Sequence, residues 1–170
     1  MAAGRRKSLG ISQQIGEGTN IGGNWWLYKS SNRMTDQPVD LFAVQGIYPD
    51  VSGVKQRPGL KIVCSRGKFK NIYFDPSLAI RHARSMFRHS VPQSQVAFRV
   101  DSAKPVNLKW DLSADSKTLF ADSWTLHQVL KSQRALIQFD TTRKGTLIAE
   151  FQTAGLDGNQ FYESCGIREK

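Results

Sequence analysis

The sequence predicts a mainly β protein, an antiparallel β-sandwich with two or three short helices. About nine segments alternate apolar and polar residues at the period of two that marks a half-buried strand. Turn-forming residues separate these segments, and only short stretches show the apolar spacing of an amphipathic helix. The chain has 170 residues, of which 39% are hydrophobic. It is therefore long enough to bury one core without a metal or a disulfide.

The segment Leu60–Phe74 has the clearest strand pattern and predicts a central hairpin. In its first arm Leu60, Ile62 and Cys64 share one face, and Lys61 and Ser65 are on the opposite face. Gly67 supplies the positive φ that a tight turn needs, so the second arm pairs back on the first. We expect this hairpin to form the centre of the sheet.

The remaining elements follow from the same patterns along the chain. Further strands are predicted at Trp25–Ser30, Val39–Val44, Gln95–Val100, Val106–Leu112, Thr118–Phe120, Ala135–Asp140 and Thr146–Gln152. Short helices are predicted within Pro76–Ser90, capped by Ser77, at Ser123–Lys131, capped by Ser123, and at Asn159–Cys165.

The chain is predicted to have a tail and one domain. Residues 1–23 are rich in Gly, Ser, Gln and Arg and are interpreted as a flexible basic arm, and residues 24–170 as a single β-sandwich domain. No apolar run is long enough for a transmembrane helix. The basic cluster near the start is followed by no apolar region, so no signal peptide is predicted. We expect a cytoplasmic protein, or a periplasmic one if an upstream signal has been removed.

The net charge of +10 indicates an anionic partner, such as nucleic acid, a nucleotide, a membrane surface or an acidic protein. Solubility alone is the alternative explanation of the charge. The strongest concentration of cations is the central hairpin and the helix predicted directly after it. Its members are Arg66, Lys68 and Lys70 on the hairpin and Arg81, Arg84 and Arg88 on the helix.

These six cations are predicted to form one anion-binding surface. The hairpin residues recur at a period of two, so they share a face. Phosphate groups favour clustered Arg and Lys, and a guanidinium can bind two phosphate oxygens. The structural alternative is that alternating lysines protect an exposed sheet edge from aggregation.

Catalytic chemistry has weaker support in this sequence. The histidines are His82, His89 and His127, and no Cys or carboxylate stands at metal-ligand spacing from them. We predict no enzymatic activity, no cofactor and no metal. A hydrolase or nuclease that uses His82 or His127 remains a third hypothesis.

The two cysteines, Cys64 and Cys165, are too few for a disulfide scaffold. In an oxidising compartment they could pair, closing a loop of about 100 residues and stabilising the fold by roughly 4 kcal/mol. In the cytosol they would remain small buried hydrophobic residues.

The order of several short motifs resembles the domain of VasI-type accessory proteins of type VI secretion and related proteobacterial and phage proteins of unknown role. These motifs are Ser-x-x-Met-Thr-Asp from Ser31, Leu-x-Ile-x-Cys from Leu60, Val-x-Phe-Arg-Val-Asp from Val96, Trp-x-Leu-Ser from Trp110, and the late Cys165. The resemblance covers roughly Trp25–Cys165. It implies a β-sandwich, a Cys64–Cys165 bridge and no catalytic residues.

The function predicted first is a non-enzymatic binding module of bacterial or phage origin, whose basic surface engages a nucleic-acid or acidic protein partner. One alternative is an accessory protein of an envelope or secretion system, which the resemblance implies. Another is a phage antagonist of a host defence complex. The high positive charge and the missing signal peptide depart from the family and favour a phage or mobile-element protein.

Overall fold

The computed structural model describes residues 17–81 and 91–168. In this part of the chain it contains ten strands and two helices. The strands are β1 (Thr19–Asn20), β2 (Trp25–Ser31), β3 (Pro38–Gln45), β4 (Gly59–Ser65), β5 (Lys68–Asp75), β6 (Gln93–Val100), β7 (Val106–Leu112), β8 (Leu119–Ala121), β9 (Arg134–Asp140) and β10 (Thr146–Gln152). The helices are α1 (Ser123–Lys131) and α2 (Gly158–Cys165).

All ten strands belong to one antiparallel sheet in the order β1-β2-β3-β4-β5-β8-β7-β6-β9-β10. The sheet curves so that its two ends meet: Ile47, just after β3, exchanges two backbone hydrogen bonds with Glu150 of β10. The Phe74 ring on β5 lies 5.0 Å from Phe139 on β9, so distant strands of the sheet face each other across one core. The prediction of a mainly β, antiparallel fold with short helices is confirmed.

The alternation of apolar and polar residues correctly predicts which side chains of the first hairpin strand are buried in the core. Leu60, Ile62 and Cys64 are fully buried, as the period of two requires. Trp25 is buried as well, and its indole Nε1 donates a 2.8 Å hydrogen bond to the Thr153 carbonyl oxygen. This bond satisfies the polar atom of a large core side chain and fastens β2 to the chain after β10.

The predicted bounds of α1 agree with the structure, but its cap does not. The capping residue is Asp122, whose side chain accepts hydrogen bonds from the Thr125 backbone and hydroxyl at 2.8 Å. Leu126 and Val129 face the core and are buried. Helical spacing predicts that Trp124 and His127 face the sheet. Both are exposed, but the Trp124 ring lies 6.0 Å from the ring of the buried Phe98 on β6.

The helix predicted to begin at Ser77 does not begin there. Ser77 has a φ of 58°, and its backbone N donates to the Asp75 side chain at 2.9 Å in an Asx turn. Three residues later, Ile80 is fully buried and forms a bridge with Thr141. Tertiary burial of Ile80 therefore overrides the helical spacing over residues 77–81. The rest of the predicted helix, residues 82–90, lies outside the described residues.

The predicted arm also ends earlier than residue 23. Thr19–Asn20 pairs with β2, and Ile21 packs against the core. Gly22 has a φ of 112°, and a Cβ there would stand 1.8 Å from the Gly155 carbonyl oxygen. Only glycine permits this close approach of two chain segments. Residues 1–16 lie outside the described part of the chain.

Candidate anion-binding surfaces

The turn between β4 and β5 presents Arg66 at the end of the central hairpin. Arg66 and Gly67 both have positive φ, 55° and 69°, as a tight two-residue turn requires. The Arg66 guanidinium Nε donates to the Gln37 side-chain oxygen at 2.5 Å. The Ser65 hydroxyl donates to the Pro38 carbonyl oxygen at 2.7 Å. The ends of the β2–β3 and β4–β5 hairpins are therefore joined.

Helix α2 supports this turn from behind. A disulfide joins Cys64 on β4 to Cys165 at the end of α2, with the two Cα atoms 5.1 Å apart. The next residue, Gly166, approaches the Gly67 carbonyl so closely that a Cβ would stand 2.5 Å from its oxygen. A covalent bond and a tight backbone contact thus fix the turn that carries Arg66.

Lys68 and Lys70 are both exposed, but they are not related by regular alternation. Val63 pairs with Asn71 and Cys64 pairs with Phe69, so Lys70 is the extra residue of a β-bulge. On its other side, β5 pairs with β8 only from Ile72 onward. The two lysines therefore lie on a sheet edge within the described residues, which is where protective lysines are also found.

Two further cations lie beside this turn, and sequence reasoning missed both. Arg33 is exposed in the β2–β3 connection, whose Gln37 contacts Arg66. The Arg168 guanidinium lies 4.1 Å from the centre of the Tyr162 ring, two residues after Gly166. We call the group the tip surface: Arg33, Arg66, Lys68, Lys70 and Arg168. Among the described residues, the carboxylates on the segments that form this surface are Asp36, Asp40 and Glu163, so five exposed cations outnumber them.

Arg81 does not lie with the hairpin cations. It follows β5 at the end opposite to the Arg66 turn, and its backbone N donates to the Asp140 carbonyl oxygen at 2.9 Å. The single surface predicted from sequence is therefore divided in the described structure. Arg84 and Arg88, together with His82 and His89, lie outside the described residues.

Lys61 is on the outward face as predicted, yet its side chain is only 1% exposed. Its ammonium lies 3.2 Å from the Asp75 carboxylate and 5.7 Å from the centre of the Tyr73 ring. Burial, and then the charge of Asp75, raise the pKa of the Tyr73 hydroxyl above its usual range. Side chains of β5 thus lie against this lysine, and it is not part of the tip surface.

A cleft of about 360 Å³ opens between the start of β2 and the contact of Ile47 with Glu150. Glu150 is the one carboxylate among its lining residues. It accepts a 3.1 Å hydrogen bond from Gln152 and lies 3.9 Å from Arg134. None of the predicted site residues lines this cleft.

Within residues 17–81 and 91–168, no three His, Cys, Asp or Glu side chains are grouped so that they could hold a metal ion. In the same ranges, no helix is both long and apolar enough to span a membrane. No protein-family model matches the chain, and comparisons with curated proteins and with solved structures found no match either. The resemblance to the VasI-type family therefore stays a prediction.

Proposed function

We propose that this protein is a non-enzymatic binding module that holds an anionic macromolecule on the tip surface. The observation that carries the proposal is the concentration of five exposed cations around one turn, which a disulfide and two hairpin contacts fix in place. A rigid surface loses little conformational entropy when it binds, so less of the favourable electrostatic free energy is offset by ordering.

The phosphate backbone of nucleic acid is the anion that this surface suits best. Its regular spacing of charges presents several phosphates to a patch of this size, and each neutralised phosphate releases condensed counterions. Arg66 can offer its terminal nitrogens to a phosphate while its Nε stays bonded to Gln37. Binding of this kind depends steeply on salt and weakly on sequence.

Reversing the tip charges is expected to abolish this binding. In the variant R66E/K68E/K70E, the affinity for a fluorescent 20-base-pair duplex should fall by at least ~100-fold, because several phosphate contacts become repulsive. For the unchanged protein, the logarithm of the affinity should fall linearly with the logarithm of salt concentration, by about 0.9 per phosphate contact. Fluorescence anisotropy over a salt series measures both quantities.

A matched variant distinguishes the contribution of the tip surface to the affinity from the contribution of the net charge. K55E/K104E/K109E makes the same change in charge at three exposed lysines outside the tip surface. It should keep most of the affinity and shift it only through the overall field. Equal losses of affinity in the two variants, or an affinity that does not change with salt concentration, would reject the proposal. If K68Q/K70Q aggregates and still binds the duplex, these two lysines protect the edge instead.

The disulfide favours a second candidate, an accessory protein of an envelope or secretion system. Disulfides persist in oxidising compartments and are rare in the cytosol of mesophiles. On this hypothesis, protein purified without reductant should contain no thiol that iodoacetamide can modify after unfolding, because Cys64 and Cys165 are bonded. Mass spectrometry of the alkylated chain makes the test, and two modified cysteines would count against the extracytoplasmic role.

A further inference from the structure

We propose that the protein has a second anion-binding surface and that it bridges two segments of nucleic acid. This inference rests on the function proposed above. The second surface consists of exposed cations in three connections that meet at the far end of β5. We call it the loop surface: Arg81, Lys117, Arg143 and Lys144.

Backbone hydrogen bonds bring these connections together. The N–H of Ile80 donates to the Ser116 carbonyl oxygen at 2.9 Å, which places Arg81 beside the turn that carries Lys117. The N–H of Thr142 donates to the Ala79 carbonyl oxygen at 3.2 Å. The turn that carries Arg143 and Lys144 therefore lies beside the same segment, residues 79–81. The loop surface is assembled by the fold and cannot be read from neighbouring positions in the sequence.

The two turns are internally fixed. In one, the Thr141 hydroxyl donates to the Gly145 carbonyl oxygen and accepts from the Lys144 backbone N–H, both at 2.8 Å. In the other, the Asp115 carboxylate accepts from the Ser113 hydroxyl at 2.6 Å and from the Lys117 backbone N–H at 3.1 Å. The hydrogen bond from Ser113, followed by that from Lys117, lowers the pKa of the Asp115 carboxyl.

The nearby carboxylates do not neutralise the loop surface. Asp115 is held as described, and Asp140 accepts a 2.6 Å hydrogen bond from the Thr146 hydroxyl. Neither of the two ion pairs found in the described ranges includes a cation of the loop surface. Asp111 is a third carboxylate near Arg81, because Gln93 donates to it at 2.9 Å and the neighbouring Ser94 hydroxyl donates to the Arg81 carbonyl oxygen. Among the described residues, four exposed cations therefore share this region with three carboxylates, and a positive surplus remains.

The two surfaces are too far apart for one compact anion. Strand β5 runs from Lys68, at the tip surface, to Asp75, a rise of about 23 Å at ~3.3 Å per residue. Leu119, two residues after Lys117, pairs with Phe74 near the far end of β5. The loop surface thus lies beyond one end of a strand whose other end carries the tip surface. Separate segments of a polyanion can occupy the two surfaces at once.

Bridging can be measured with two 20-base-pair duplexes, one labelled with an energy-transfer donor and the other with an acceptor. The unchanged protein should raise energy transfer between them at near-equal concentrations. The variant R81E/K117E/R143E/K144E should lose this signal entirely. Its affinity for a single duplex, measured by anisotropy, should fall by less than about 10-fold because the tip surface still binds.

The matched control reverses four exposed lysines outside both surfaces, K55E/K104E/K109E/K131E, and should keep the energy transfer. If the quadruple loop variant does not fold, K117E/K144E replaces it, because those residues bond to the fold only through their backbone in the contacts described. Single-duplex binding without energy transfer would overturn the bridging inference alone. Energy transfer that survives in the loop variant would overturn it too, and absence of all duplex binding would overturn the proposed function.

Discussion

Reduction of the Cys64–Cys165 disulfide is expected to lower the free energy of unfolding by about 4 kcal/mol. The bond closes a loop across a sequence separation of 101 residues, and releasing it restores that conformational freedom to the unfolded chain. Both half-cystines are buried, at 0% and 2% exposure, so reduction also leaves two thiols in the core. Urea unfolding with and without a phosphine reductant measures the difference.

The variant C64A/C165A is the control for this experiment. It should unfold close to the reduced protein and should not respond to reductant, since it has no bond to lose. A midpoint that stays unchanged on reduction, with both thiols shown to be free by mass, would contradict the expected contribution. The reduced protein also tests the tip surface, because α2 would then support the Arg66 turn only through non-covalent contacts.

Replacement of Asp75 by Ala should destabilise the fold by about 3 kcal/mol. The Lys61 ammonium, 1% exposed, would lose its carboxylate while remaining buried. The Ser77 backbone N–H would lose its acceptor as well. The opposite change, K61M, should cost clearly less, because the Asp75 side chain is 22% exposed and can be hydrated. Chemical unfolding of the two single variants gives the comparison.

The double variant K61M/D75A completes a mutant cycle. With no buried charge left, it should be more stable than D75A alone, and the two single effects should fail to add by at least ~1 kcal/mol. Strict additivity would show that Lys61 and Asp75 contribute independently. It would then be wrong to treat them as a buried pair.

Local sequence patterns predicted the elements of this fold well. The bounds of β7, β10 and α1 agree with those from alternation and helical spacing, because each buries one regular face. The central hairpin was predicted with its turn at Arg66-Gly67, where both residues have positive φ. In these segments, local preference and tertiary burial favour the same conformation.

The candidate site was predicted only in part. The spacing from Leu78 onward fits a helix, yet Ile80 forms a buried bridge with Thr141. Arg81 follows the end of β5 that is opposite to the Arg66 turn, so it lies apart from the hairpin cations. Lys61 alternates outward, but side chains of β5 lie against it. The contacts of Ile80 with Ser116 and of Arg81 with Asp140 join segments far apart in the chain, and no local pattern indicates which connections meet.

The disulfide also divides the chain topologically. Strands β1, β2 and β3 precede Cys64, whereas β5 to β10 and both helices lie within the segment closed by Cys64 and Cys165. A single proteolytic cut inside that segment would release no fragment, since the two pieces would stay covalently linked. A cut before Cys64 would detach whatever lies upstream of it once the sheet opens. The same backbone thus has a tethered portion and an untethered one, set by one sulfur–sulfur bond.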